Sequence, residues 1–549
     1  MRRELRGSLL PGLLLLSLMA ACQELKTVPM EQGKNQDTSD VDPENELGLI
    51  PGHAWSKDSG RVLSATATPI AWGDEESPGD EETRRLVKHI PRLHYPRDGR
   101  WPILIWAHPA KAGAELQAWI DRGLSPLYNY NIMESLDVWK QMQQQDVPVI
   151  FLLQGHVQRL VHRKKDKNVV PVADRPHDQS CPALLLDQRK LVGERNHIAK
   201  LYEGLRENGI DVKAVFIDFE SGPYLRNGKE KEASVRAEML EAQKCPQCLK
   251  LYGMDKLTSI QQFRSICDGA RAEAVKISCT EPLRKVFPEA NVGNFFAWPL
   301  DRYMDGNGVL NPAHYDVSGG AFPAYGYEGS GMNILQPRCY YVPGWQAYGM
   351  PDLVQKKHLV DWNVFTYSLR RFSAAAKVMQ PGEKLVPWVG WLFGRARKDG
   401  SGSTGTADGY KETIIHTLLR GAETVAIFVP ESLSDDFSEP EGMAIDRSEM
   451  GVFLRNVVDV QAAYDEVLRF QPFLKTAAPL NHHHEGIYNQ PGAEWSGYGN
   501  GQAALVRTVS FGRETEKALW LYGNAVALPF REKGAWFWVF PDGSIEEVK

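Results

Sequence analysis

Val212-Lys-Ala-Val-Phe-Ile-Asp218-Phe-Glu220 is a strand-length apolar run that ends in two carboxylates. A continuous run of this kind, bounded by polar residues, suits a strand covered on both faces, as in a parallel sheet. Similar runs recur along the chain: Trp101-Pro-Ile-Leu-Ile-Trp-Ala-His108, Val147 to Leu153, Val292-Gly-Asn-Phe-Phe-Ala-Trp298, Leu385 to Phe393 and Glu423 to Pro430. Between them lie segments of helical period, at 133–145, 191–208, 259–286, 353–379, 410–420 and 450–470. Alternation of this sort predicts the α/β class, and its extent predicts a (β/α)8 TIM barrel over residues 49–472. Residues 158–182 and the Gly-, Tyr- and Pro-rich stretch 300–350 read as loops over one face. After Pro479 the pattern changes to Gly-punctuated apolar runs, 502–511, 517–522 and 535–540, which predicts a small C-terminal all-β, sandwich-like domain over 473–549.

Composition excludes some partners. A net charge of -6, with 24% charged residues, lacks the basic excess that a phosphate backbone demands, so nucleic acid is not expected. The 15 Trp and 19 Tyr, many beside Gly or Pro, are the residue types that stack on sugar rings while offering a polar edge. At the N-terminus, Arg2, Arg3 and Arg6 precede an apolar run from Leu9 to Leu18 and the small-residue site Ala20-Ala21-Cys22. This has the form of a lipoprotein signal peptide (1–22) with Cys22 as the lipidated residue, although Met19 stands where such sites prefer Leu. Residues 23–48, polar and poor in apolar side chains, read as a flexible tether. The expectation is an exported chain held at the cell envelope by a membrane lipid anchor. Six further cysteines, Cys181, Cys245, Cys248, Cys267, Cys279 and Cys339, then fit up to three disulfides. Cys245-Pro-Gln-Cys248 has the spacing of a redox or metal pair, but no second pair lies near it and it does not read as opening a helix after a strand. Neither a metal nor a cofactor is expected.

In such a barrel the residues that end strands carry the chemistry. Those positions are polar or aromatic here: His108, Gln154 and His156, Asp218 and Glu220, Trp298 and Asp301, Trp391, and Glu431. Asp218 and Glu220, two apart on one strand, share a side, and two like charges so close drive their pKa values apart. One then serves as a protonated acid beside a carboxylate. A pair on one strand does not flank a sugar from opposite faces. It can protonate the leaving oxygen through Glu220 while Asp218 steers a nucleophile that belongs to the substrate, such as the carbonyl of a 2-acetamido group. The competing reading has both carboxylates capping the following turn or pairing with Arg226. Tyr325, Tyr327, Tyr340, Tyr341 and Trp345 either line a sugar groove or pack a loop core. Glu281-Pro282 sits in helical spacing and reads as structural, and His482-His483-His484 as a solvated loop.

The strand Ala214-Val-Phe-Ile-Asp218-Phe-Glu220-Ser, followed by Phe287-Pro-Glu-Ala-Asn-Val-Gly-Asn-Phe-Phe-Ala-Trp-Pro299, resembles the hyaluronidase-like and other Asp-x-Glu barrel glycoside hydrolases. The resemblance covers residues 100–300 and implies Glu220 as general acid and Asp218 as the residue that orients the acetamido group. The Trp-rich continuation of that family is replaced here by Ser221-Gly-Pro-Tyr224. Two other readings stay open: a carboxylate pair across the cleft that uses Asp301 or Glu431, and a glycan-binding lipoprotein without catalysis.

Overall fold

The computed structural model describes residues 66–75, 79–106, 110–127, 132–154, 182–219, 232–295, 297–299, 302, 327–341, 360–391, 406–428, 452–482, 484 and 490–548. Two five-stranded parallel sheets form the body. One contains β1 (Ile103–Trp106), β2 (Leu124–Leu127), β7 (Arg338–Tyr341), β9 (Trp388–Trp391) and β10 (Ala426–Ile427) in the order β2-β1-β10-β9-β7. The other contains β3 (Val149–Gln154), β4 (Val212–Asp218), β5 (Asn291–Asn294), β6 (Ile334–Leu335) and β8 (Lys384–Leu385) in the order β3-β4-β5-β6-β8.

The sheets are two parts of one circuit. β6 and β7 are one strand interrupted at Gln336-Pro337, and β8 and β9 another interrupted at Val386-Pro387. Proline cannot donate to a ladder, so each strand is broken as an element. Pairing still runs past the break, because Val386 N donates to Leu335 O at 2.9 Å and Trp388 N to Pro337 O at 3.0 Å. Counted as single strands, they give the sequence-ordered circuit β1, β2, β3, β4, β5, β6/β7, β8/β9, β10 and back to β1. Each junction carries a parallel ladder except β2 to β3, which run side by side without one among the described residues. Pro126 lies within β2 and lacks the N–H a second ladder needs, which fits β2 as an edge.

Two apolar clusters follow from strand alternation. Leu104, Ile150, Leu152, Ala214, Phe216, Phe295, Ile334, Val386, Trp388 and Ala426 fill the interior of the circuit. Ile103, Ile105, Val149, Phe151, Val215, Ile217 and Val292 face outward onto the helices. The helices between strands include Leu136–Gln144, Gln188–Glu207, Ile260–Val275, Val360–Lys377, Ala407–Leu418 and Val452–Leu468.

The C-terminal unit is all β. A five-stranded sheet has the order β11 (Ala478–Pro479), β12 (Ala493–Gly499), β13 (Ala504–Ser510), β16 (Ala535–Val539) and β17 (Ile545–Glu547). A separate hairpin, β14 (Thr515–Leu521) and β15 (Asn524–Phe530), covers one face through Leu519, Leu521, Val526, Leu528 and Phe530, as in a sandwich. The other face meets the helices, where Tyr498, Leu505 and Trp536 join the cluster around Phe470 and Phe473.

Some expectations change. Residues 334–341, read as loop, carry β6 and β7, and β2 was not anticipated at all. The anticipated strand ending at Trp298 stops at Asn294. Cys245 caps the helix Pro246–Tyr252, so the Cys-x-x-Cys pair does open a helix, although a short one that follows another helix, Glu232–Ala242. The disulfide expectation is corrected as well, since none is found among the described residues. Cys279 hydrogen-bonds the Tyr202 hydroxyl at 3.4 Å and Cys339 donates to Ser368 O at 3.6 Å. Burial pushes both thiols up to about 12. Cys181 and Cys22 lie outside the described residues.

Candidate active site

At the carboxyl end of β4, Asp218 is in phase with Ala214 and Phe216, two of the residues that fill the interior, so alternation turns it to the same side. It is 1% exposed. Beside it, Gln154 ends β3 in direct register with Asp218. On the other flank Asn294, fully buried at the end of β5, grips the next peptide of β4. Its Oδ1 accepts from Phe219 N at 2.9 Å and its Nδ2 donates to Phe219 O at 3.4 Å. That two-point clamp holds the backbone between Asp218 and Glu220.

Within the circuit lies an aromatic floor. Trp106 lies tilted against Phe428 with centroids 4.5 Å apart and against Phe295 at 5.6 Å, while Trp388 meets Phe295 edge-on at 4.7 Å and Phe216 at 6.2 Å. Edge and offset contacts of this kind are the favoured aromatic geometries and make a stiff cluster. Trp106 and Phe428 are half-buried, whereas Trp388 and Phe295 are buried beneath them, so the floor opens at the Trp106 and Phe428 side.

Gln336, at the proline break between β6 and β7, is fully buried, with neither side-chain amide atom hydrogen-bonded among the described residues. It lies over Gly293, where a Cβ would come within 3.0 Å of the Gln336 amide. A buried unsatisfied amide is costly and is retained where it serves a site. Gln336, Asn294 and Trp388 were not singled out from the sequence. The signal for Asn294 was available, because it stands in the quoted Val-Gly-Asn-Phe run beside the Asp-x-Glu strand.

The anticipated residues divide into groups. Asp218 and Gln154 end neighbouring strands. Trp391 ends β9, where it pairs in register with Tyr341. Trp298 follows β5 and is buried at 5% in the layer between strands and helices. Tyr327 is 1% exposed in that same layer, at the start of the helix Tyr327–Ser330, with the Arg302 guanidinium 5.6 Å above its ring. Glu281 is exposed at a helix start, 3.9 Å from Lys276. His108, His156, Glu220, Asp301, Tyr325 and Glu431 lie outside the described residues.

His484 overturns the solvated-loop expectation. It is buried, and its ring bonds the Glu494 carboxylate, which also meets Arg420 at 3.2 Å. The ring is drawn in by these β-domain and helix partners, which are distant in sequence. Among the described residues no group of three or more His, Cys, Asp or Glu could hold a metal ion.

No family model and no curated protein matches the chain in sequence. Solved structures it is similar to include the cyclic α-maltosyl-(1→6)-maltose hydrolase from Arthrobacter globiformis, at 8% identity over 80% of this chain and 86% of that one, TM-score 0.36. Another is the endo-β-1,4-mannanase from Thermotoga petrophila, at 11% identity over 82% and 91%, TM-score 0.31. A third is the isomaltulose synthase from Erwinia rhapontici, at 9% identity over 77% and 91%, TM-score 0.37. Likeness of this degree carries neither topology nor activity from those proteins to this one.

Proposed function

We infer that the chain is a glycoside hydrolase acting on a polysaccharide or glycan, with residues 49–472 as the catalytic unit, read as a (β/α)8 barrel left open at the β2–β3 junction, and 473–549 as an accessory domain. The observation that carries this is the buried carboxyl of Asp218 at the carboxyl end of β4, on the interior side of the circuit, where Trp106, Phe295, Trp388 and Phe428 cluster. An apolar aromatic surface suits the C–H face of a sugar, and a carboxylate sheltered beside it can balance the positive charge that develops at the anomeric carbon. Glu220, two residues on, is assigned as the general acid and Asp218 as the stabiliser, with substrate assistance by a 2-acetamido group.

The two roles separate experimentally. Glu220→Gln should cost most on substrates with poor leaving groups, since proton donation contributes roughly 10² to 10⁴-fold and an activated aryl leaving group hardly needs it. Asp218→Asn should depress both kinds of substrate. Full activity of both variants would move the assignment to a cross-cleft pair with Asp301 or Glu431.

We place the chain at the cell envelope through a lipid on Cys22. Cys22→Ser should shift the protein from the membrane to the soluble fraction with unchanged circular dichroism. Unaltered partitioning would remove the anchor.

A further inference from the structure

We propose that the outer face of the β14–β15 hairpin, centred on Trp520, is a second glycan-binding surface distinct from the site at the strand ends. Trp520 is 61% exposed, the most open large apolar side chain among the described residues. Strand alternation and register place Glu516, Ala518 and Trp520 of β14 opposite Pro529, Ala527 and Ala525 of β15 on that face. The nearest neighbours of the indole on the face are thus methyl groups, which leave its ring uncovered.

The platform is stiff. Leu519, Leu521, Val526, Leu528 and Phe530 anchor the inner face of the hairpin in the sandwich core. Its two-residue turn, Tyr522 at φ 54° and Gly523 at φ 76°, has the positive angles of a type I′ hairpin. The Tyr522 hydroxyl donates to Asn500 O at 2.7 Å, and Asn524 Nδ2 donates to Pro541 O at 2.9 Å. An aromatic surface fixed in advance loses little conformational freedom on binding.

Chemistry selects the occupant. A stable protein partner needs about 800 Å² per side with several large anchors, whereas this face offers one. An anionic bilayer would want cations around the indole, yet the charged residue that shares its face of β14 is Glu516, which is exposed. Lys517 is engaged elsewhere, donating to Ala493 O at 3.0 Å and lying 5.5 Å from the Phe530 ring. A flat ring, small neighbours and a carboxylate that accepts from hydroxyls fit a sugar.

The hairpin also points away from the candidate active site. Val509 and Phe511, just before it, pack with Trp362 and Phe365 near the start of the helix Val360–Lys377, which follows the carboxyl end of β7. Trp520 lies five residues beyond Thr515, about 17 Å at the usual rise of a strand, toward the Tyr522 turn that bonds Asn500 O. The surface would therefore hold polymer independently of cleavage.

The test compares the full chain with Trp520→Ala, and with Trp72→Ala as a control at another exposed tryptophan. Native gels containing glycol chitin, xylan, galactomannan, hyaluronan or soluble starch, and co-sedimentation with peptidoglycan sacculi, report binding. We expect the parent to be retained by at least one of these, Trp520→Ala to lose about tenfold or more in apparent affinity, and Trp72→Ala to match the parent. Equal retention of Trp520→Ala, or no retention of the parent by any probe, overturns the proposal. Loss of retention in Asp218→Asn but not in Trp520→Ala would also overturn it and place binding at the strand ends. Hydrolysis of a short soluble oligosaccharide, read separately, decides the catalytic proposal.

Discussion

Asn294 shows how one side chain governs a neighbouring strand end. By holding both the N–H and the C=O of Phe219, it fixes the peptide that joins the two proposed catalytic carboxylates. Removing it with Asn294→Ala leaves two backbone groups to find other partners, at about 1 to 3 kcal/mol for an unsatisfied buried group. If the carboxylate assignment holds, kcat should fall at least tenfold, and the pH–rate profile should move as the Asp218 and Glu220 carboxyls change separation, while KM changes little. A profile of unchanged shape in a folded Asn294→Ala protein would mean that the clamp serves stability alone. At this scale the sequence was partly legible. Asp218 stood out because it ends an unambiguous strand. Gln336 did not, because its Gly/Tyr/Pro-rich surroundings carry the composition of a loop and only tertiary pairing past Pro337 makes them a strand.

The element that decides the joint between the two units is the helix Ala407–Leu418. Glu412 and His416 lie one helical turn apart, and Arg420 follows another turn on, just past the helix end, giving one polar stripe. Such a stripe reads as a solvated face, yet here the β domain covers it. Arg420 Nε and His416 Nδ1 both reach the Ser496 hydroxyl at 2.8 Å, Arg420 Nη1 donates to Ser373 Oγ at 2.6 Å, and Arg507 pairs with Glu412. Although burial alone would raise the Glu494 carboxyl, His484, Arg420 and the Trp495 N–H hold it at about 2. A buried charge left without its partner costs about 3 to 5 kcal/mol. Arg420→Leu should therefore lower unfolding stability by that amount in denaturant titration, and by clearly less when Glu494→Leu is combined with it. Additive losses would show that the two residues do not act as a pair. Charge pattern alone could not reveal this burial, since the covering strands lie about 75 to 95 residues further along.

For the whole molecule the consequence is a dependence on acid. Burial, then the neighbouring Arg420, holds His416 well below 6.5, and burial lowers His484 as well and takes His482 to about 4. Below pH 6.5 the unfolded chain takes up protons that these rings refuse in the fold, so stability declines as pH falls from about 6.5 toward 4. Glu494, ionised in the fold down to about 2, adds a further loss once pH drops below 4.5, where the unfolded carboxyl protonates. Glu412 works the other way, because burial raises its carboxyl despite Arg507, and the uptake of a proton there offsets part of the loss. With three histidines against one carboxyl, the denaturant midpoint should drop steadily between pH 7 and pH 4.5, and His416→Gln should flatten that slope. An equally steep slope in His416→Gln would place the dependence elsewhere. The fold class and the positions of β13, β14 and β16 were open to reading, because periodicity is a local property, while β15 and β17 went unread. The order in which strand edges meet around the circuit was not, because it depends on pairing between segments far apart in the chain.

One edge does not. Where β2 runs beside β3, the circuit has one side without a ladder among the described residues, and Pro126, which has no N–H to give, fits that. A hoop stitched all the way round resists any change of bore, since widening it stretches every row of bonds together. A hoop with one free side opens like a cuff, by splaying that side while the remaining rows keep their register. The least resistance to widening therefore lies on one flank, next to the strand that carries Gln154.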